Sequence, residues 1–220
     1  MSRSVSQRLM AMVTRTNVLT VALVLGLLGA GLGGCGSSAP PQPGPKIKKD
    51  VITKNEAAAI AACKAYAQAQ EMYHRTNWNG DGILKYAFTI SAPYGLYETS
   101  SGLGDVLLLD KTFALAEGDP GTAIPRTGYV FRILTAQGSG SSGGAMSYLT
   151  TTPPNVDVNP DSIQCTLGHA LSAIPADYGI SGRNTFIVNN AGEVYQKDKG
   201  RSAHETAYCP NTANGWIPAN

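Results

Sequence analysis

The run TKNEAAAIAACKAYAQAQEMYHR, residues 53–75, decides the fold. It has no glycine or proline and is dominated by alanine, glutamine and lysine, residues that lose little on entering a helix. Thr53 followed three residues later by Glu56 has the form of a capping box, so a helix is expected to start there and to end near Arg75. Ala59, Ala62, Tyr66, Ala69 and Tyr73 recur at spacings of three and four with Cys63 beside them, while Lys64, Gln68, Glu71 and Arg75 mark another face. One stripe is therefore buried and one is wet. The buried side chains are mostly small, so a partner can approach the helix backbone closely, as the face of a sheet does. A lone helix of this kind would not hold without such a partner.

Beyond Asn77 glycines punctuate the chain and the period changes. Tyr129 to Leu134, Leu171 to Ile174, Thr185 to Val188 and Glu193 to Gln196 are short runs rich in valine, isoleucine and aromatics, and they read as strands. Asn189, Asn190, Ala191 and Gly192 tolerate positive φ, so the last two strands are expected to form a hairpin. Leu107, Leu108, Phe113 and Leu115 suggest a second, shorter helix starting at Asp105 and ending before the Gly118 to Gly121 turn. Gly138, Gly140, Gly143 and Gly144, with serines between them, read as a flexible loop, and Pro153 to Pro160 as another. Neither is a phosphate loop, because no Lys and Ser/Thr pair follows the glycines. The fold expected is α+β: one long N-terminal helix packed on a mostly antiparallel sheet, in a single globular domain over residues 51–220.

Toward the N-terminus the sequence reads as an address. Arg3, Arg8 and Arg15 precede the apolar run Val18 to Leu28, which is the pattern of a secretory signal. That run leads to Leu32, Gly33, Gly34 and Cys35, which resembles the lipobox of bacterial lipoproteins. Residues 1–34 are then a cleaved signal peptide and Cys35 a lipidated N-terminus, giving a membrane-anchored protein of the bacterial cell envelope, with Gly36 favouring the outer membrane or cell surface. The alternative is an uncleaved anchor spanning the uncharged run Thr16 to Ala39. Residues 35–50 form a tether: Gly36 to Pro45 holds four prolines, two glycines and two serines and cannot bury enough apolar surface to order. Lys46, Lys48 and Lys49 beside Asp50 are a solvated end of that linker.

Of the 220 residues, 43% are hydrophobic and 15% charged, enough for one ordinary core. Lys and Arg number 17 against 15 acids, and three of the arginines lie before position 35, so the rest of the chain is close to neutral. With no basic excess, the phosphate neutralisation on which nucleic-acid affinity rests is missing, so a nucleic-acid role is disfavoured and no nucleic-acid partner is expected.

Four segments carry a resemblance to a known family: NGDGILKYA at 79–87, GYVFRILTAQG at 128–138, PADYG at 175–179 and TFIVNNAGEVYQKDKG at 185–200. In order and spacing they are similar to the bacterial envelope family called domain of unknown function 2950. The helix NEAAAIAACKAYAQAQEMY at 55–73 also resembles the exposed half of the long helix in type IV pilin-like proteins. The resemblance implies a pilin-like α+β domain in secreted or lipid-anchored form and implies no enzymatic activity. Two features depart from it. Prolines at 40, 41, 43 and 45 sever the apolar run from the exposed helix, which argues against ordinary filament assembly, and Pro153 to Cys165 and Cys209 to Asn220 read as additions.

Candidate chemistry is sparse. Asn77, Asn79 and Asp81 before Gly82 occupy alternate positions of a calcium-loop pattern, but the twelfth position is Phe88, so a glycine-rich turn is the plainer reading. His74, His169 and His204 are isolated from one another in sequence, and no pair has zinc-motif spacing. His204 with Glu205 reads as a solvated pair and His169 as a residue at a strand start. Ser172, Ser181 and Asp177 with His169 make a hydrolytic triad only on paper, because no G-x-S-x-G elbow exposes either serine. Trp78, Tyr94 and Tyr97 read as core rather than as a stacking surface. In an oxidising compartment Cys165 and Cys209 are expected to pair, leaving Cys63 on the buried helix stripe. No cofactor is expected. The function expected is that of a non-catalytic structural or interaction module with envelope proteins as partners; the alternative is a ligand-binding or hydrolytic envelope protein whose site is scattered through the sequence.

Overall fold

The small side chains of residues 53–75 do bring a sheet close to a helix. The computed structural model of the protein describes residues 46–78, 80, 82–91, 93–99, 105–151 and 163–220, all within one compact unit, Pro43–Asn220. Residues 1–34, read as a signal peptide, and Cys35, Asn79, Asp81 and Pro153 to Pro160 lie outside the described residues. Helix α1 spans Lys46–His74, 29 residues, or about 43 Å at 1.5 Å per residue. Ala59, Ala62, Cys63, Tyr66, Ala69 and Tyr73 are all buried on its inner stripe, as is Gln70. Among the described residues no helix is long and apolar enough to cross a membrane.

The start of α1 differs from expectation. Lys46 to Asp50, read as the end of the tether, are already helical, since nothing between Lys46 and Thr53 breaks a helix. Thr53 is therefore interior, its hydroxyl donating to the Lys49 carbonyl at 3.0 Å, and the capping box is not formed. The Glu56 carboxylate instead reaches across the fold and accepts from the backbone amides of Arg183 and Asn184 at 2.9 and 3.0 Å.

After α1 come β1 (Tyr97–Glu98), β2 (Val106–Leu107), α2 (Lys111–Leu115), β3 (Tyr129–Leu134), β4 (Ala136–Gln137), β5 (Met146–Ser147), β6 (Leu149–Thr151), β7 (Ile163–Cys165), β8 (Ala170–Pro175), β9 (Asn184–Asn189), β10 (Tyr195–Asp198) and β11 (Ile217–Pro218). The second helix is shorter than expected and starts later. Asp110, not Asp105, caps it by accepting from the Phe113 amide at 2.9 Å, and the upstream residues Val106 and Leu107 pair with β1.

The main sheet runs β11-β10-β9-β8-β3, with every pairing antiparallel. The expected hairpin is β9–β10, closed by Gly192 N–H donating to Asn189 O at 2.8 Å with Gly192 at φ 73°. Alternate residues give the sheet two faces. Tyr129, Phe131, Ile133, Leu171, Ala173, Phe186 and Val188 pack with α1 in one core cluster. Leu134, Ala170 and Ile187 belong to a second cluster with Tyr86, Tyr148, Cys165, Tyr208 and Trp216. With both faces covered, all six residues of β8 are buried. The C-terminal stretch Cys209 to Asn220, read from the sequence as an addition, thus contributes Trp216 to the core.

Tyr208 and Cys209 also order the serine–glycine loop, which is not free. Gly138 N–H and the Ser141 hydroxyl both donate to Tyr208 O, at 2.8 and 2.6 Å, and the Gln137 side-chain amide donates to Ser142 O and Gly144 O. A Cβ at Gly140 would lie 2.9 Å from Cys209 Sγ, so glycine is required there by close packing. The Cys165–Cys209 disulfide is absent. All three described cysteines are free thiols; Cys165 donates to Gly168 O at 3.1 Å inside the second cluster, and Cys209 is packed on Gly138 and Gly140.

Candidate functional site

The chemistry-bearing side chains gather in three places. The first is the C-terminal end of α1. Gln70, fully buried, accepts from Ala87 N at 2.9 Å and donates to Ala87 O at 2.7 Å and to the Tyr66 hydroxyl at 3.0 Å, and Tyr66 in turn donates to Ala170 O at 3.0 Å. One turn further, the Tyr86 ring lies between two imidazoles: His74 stacks on it at 4.1 Å and His169 is tilted against it at 4.9 Å. His169 sits just before β8, as its reading as a strand-start residue implied. It is 0% exposed, its backbone N–H is held by Asn190 Oδ1 at 2.9 Å, and neither ring nitrogen has a hydrogen-bond partner. Glu71 Oε1 is 3.6 Å from Nε2, beyond hydrogen-bond reach. Burial, with His74 adding to it, lowers the His169 pKa to about 4, so the ring is neutral at pH 7 and the pair is not an ion pair.

The second place is the outer face of the sheet. Ser172, fully buried at the middle of β8, meets His204 and not His169. His204 Nδ1 is 3.1 Å from Ser172 Oγ and Nε2 is 3.0 Å from Gly118 O. A carbonyl only accepts, so the proton is on Nε2, and Nδ1 accepts from the serine hydroxyl. Glu205 N–H also donates to Ser172 Oγ, at 3.3 Å. Burial is the main cause that brings the His204 pKa down to about 4; Arg132 and Lys199 lower it further, against the Gly118 carbonyl and Asp119. His204 and Glu205 are therefore not a solvated pair: the first is half-buried on Ser172, and the second is in an ion pair with Lys199.

The other triad members are elsewhere. The Ser181 hydroxyl donates to Asp177 O at 3.1 Å and accepts from Asp177 N–H at 3.0 Å, closing the β8–β9 turn through the backbone of Asp177. Cys63 and Cys165 are pushed up to about 12 by burial, which keeps both thiols protonated and unreactive at neutral pH. Of the calcium-loop residues, Asn77 is described, with its Oδ1 buried and unpartnered. Trp78 and Tyr97 pack against the main core, whereas Tyr94 is exposed at φ 65° with its carbonyl taken by the Tyr73 hydroxyl.

The third place is a groove beside α1. One part, about 710 Å3, is lined by Ala58, Ala61, Ala62, Ala65, Thr112, Pro125, Arg126 and Thr127. It continues over Ala65 and Arg126 to Tyr97 and Leu107. Arg126 is fixed in the lining: its guanidinium donates to Asp110 at 2.9 Å and to Thr112 Oγ1 at 3.2 Å, 5.1 Å over the Phe113 ring. Burial alone would raise the Asp110 carboxyl, but the donors Thr112, Phe113 N–H and Arg126 outweigh it and hold the pKa below the usual range. The alanines of this groove were legible in the sequence as small residues on a helix; its other wall, contributed about fifty residues later, was not.

A family profile described as protein of unknown function (DUF2950) matches residues 43–214. No curated protein and no solved structure matches the chain.

Proposed function

We propose, for a chain that belongs to the family of unknown function DUF2950, a non-catalytic role: a lipid-anchored module of the bacterial cell envelope that works by surface contact with other envelope proteins. One observation supports the reading above the rest. The groups that the sequence could assemble into a triad are committed to structure, with Ser172 fully buried beneath His204, Ser181 closing a turn with Asp177, and His169 packed on Tyr66 and Tyr86. A nucleophile needs access to substrate as well as a base. The anchor rests on the sequence, where Leu32-Gly33-Gly34-Cys35 follows a signal-like apolar run and the tether sets the domain off from the membrane. A long helix carried on an antiparallel sheet is the plan a pilin-like module would use.

The test is made on the full-length protein in membranes. Mass spectrometry of the mature N-terminus is expected to find Cys35 acylated, and Cys35→Ala to move the protein to the soluble fraction. A panel of esterase, peptidase and glycosidase substrates is expected to show no turnover. An unmodified mature N-terminus elsewhere, or turnover abolished by Ser172→Ala or Ser181→Ala, overturns the reading.

A further inference from the structure

The segment Lys199–Ala207 crosses the outer face of the sheet in irregular conformation. Among the described residues no backbone-to-backbone hydrogen bond joins it to the rest of the fold; the first such bonds come at Tyr208, to Ala136 and Gly138. Side chains hold it instead. Lys199 donates to Ala203 O at 3.1 Å and pairs with Glu205, and His204 is clasped between Ser172 Oγ and Gly118 O. Ser202 Oγ is buried within it without a partner, which removes stability from the closed arrangement. A stretch fastened to the sheet by the His204 imidazole and the Glu205 N–H, both at Ser172, with a further bond from Gly200 N–H to Asp198 Oδ1 at its start, and lacking ladder bonds, opens locally at a free energy below that of the sheet it covers.

We infer that residues 199–207 form an acid-released strap whose clasp is His204, lifting from β8 without unfolding of the sheet. Ser172 Oγ has two lone pairs and one proton. In the neutral clasp the proton goes to His204 Nδ1, and a lone pair receives Glu205 N–H. Protonation puts a second N–H on Nδ1, so the serine must accept from both groups and its own hydroxyl loses its acceptor at a fully buried position. The new charge also faces Arg132 of β3 and Lys199 of the segment, opposed by Asp119 after α2 and by Glu205, which is already paired with Lys199. Lifting the strap returns the imidazolium to water. With the closed pKa at about 4 and the open one at the ordinary 6.5, opening rises by roughly tenfold per pH unit below 6.5, about 30-fold by pH 5.0.

Hydrogen exchange followed by mass spectrometry on the intact protein, corrected for intrinsic rates, reads this directly. Amides 201–207 are expected to be less protected than those of Ala170–Pro175 at pH 7.5 and to lose about a further 30-fold at pH 5.0. In His204→Gln, whose side-chain amide can still donate to Gly118 O, the acid-dependent loss in 201–207 is expected to vanish, while His169→Phe keeps it. In the wild-type chain the His204 imidazole is expected to titrate below pH 5 by NMR. Exchange of 201–207 only together with the sheet, an undiminished acid response in His204→Gln, or a His204 midpoint near 6.5 overturns the inference.

Discussion

Replacing His169 by phenylalanine tests whether the corner at the end of α1 stores acid sensitivity. The ring is 0% exposed and both of its nitrogens are unpartnered. In the folded state its pKa is about 4, against 6.5 for the free side chain. The usual histidine case, a raised pKa with stability lost as pH rises, is reversed here. The unfolded chain binds the proton more readily, so the contribution is fully present above pH 6.5 and is lost as pH falls toward 4. At pH 5.0 the two proton affinities differ in their binding polynomials by about 30-fold, which is about 2 kcal/mol, and the loss approaches about 3.4 kcal/mol below pH 4. Phenylalanine keeps the backbone N–H bond to Asn190, the edge contact with Tyr66 and the packing on Tyr86, while removing two buried nitrogens that bond to nothing. Urea unfolding at pH 7.5 is therefore expected to find His169→Phe equal to or more stable than wild type. Between pH 7.5 and 5.0 the variant is expected to lose about 2 kcal/mol less than wild type. Equal losses in the two proteins would refute the reasoning, because His204 and the surface carboxylates are common to both.

Ala62 is 2% exposed on the inner stripe of α1, so although it also borders the groove an arginine there has to displace core packing, and Ala62→Arg is expected to cost about 3 kcal/mol, whereas Lys64→Ala on the wet face changes stability by less than about 0.5 kcal/mol; chemical denaturation of both variants checks the assignment of the faces. Gln70→Leu keeps volume but leaves Ala87 N–H and C=O buried without partners, and a loss of about 2–4 kcal/mol in the same assay is expected.

What the sequence determined alone are the elements whose periodicity is local. The three-and-four stripe of Ala59, Ala62, Tyr66, Ala69 and Tyr73 is the buried face of α1, and the apolar runs with their Asn-Asn-Ala-Gly turn became β3, β8, β9 and β10 in an antiparallel sheet. Each of these follows from propensity and amphipathicity within a dozen or so residues. Tertiary structure decided where a side chain finds its partner far along the chain. Glu56 looked like half of a capping box, but its acceptors are satisfied by Arg183 and Asn184, 127 and 128 residues away. Ser172 looked like a partner for His169, three residues before it in the sequence, yet neighbouring positions in a strand project to opposite or offset sites, and its hydroxyl meets His204 from a segment 32 residues on. The outer face of the sheet has no cover of its own in the sequence pattern, so Tyr208 and Trp216 of a polar-looking tail supply it. Only the closed fold fixes which of the few histidines and serines are touched by what, because hydrogen bonds and desolvation depend on positions in space that a residue's neighbours in sequence do not encode.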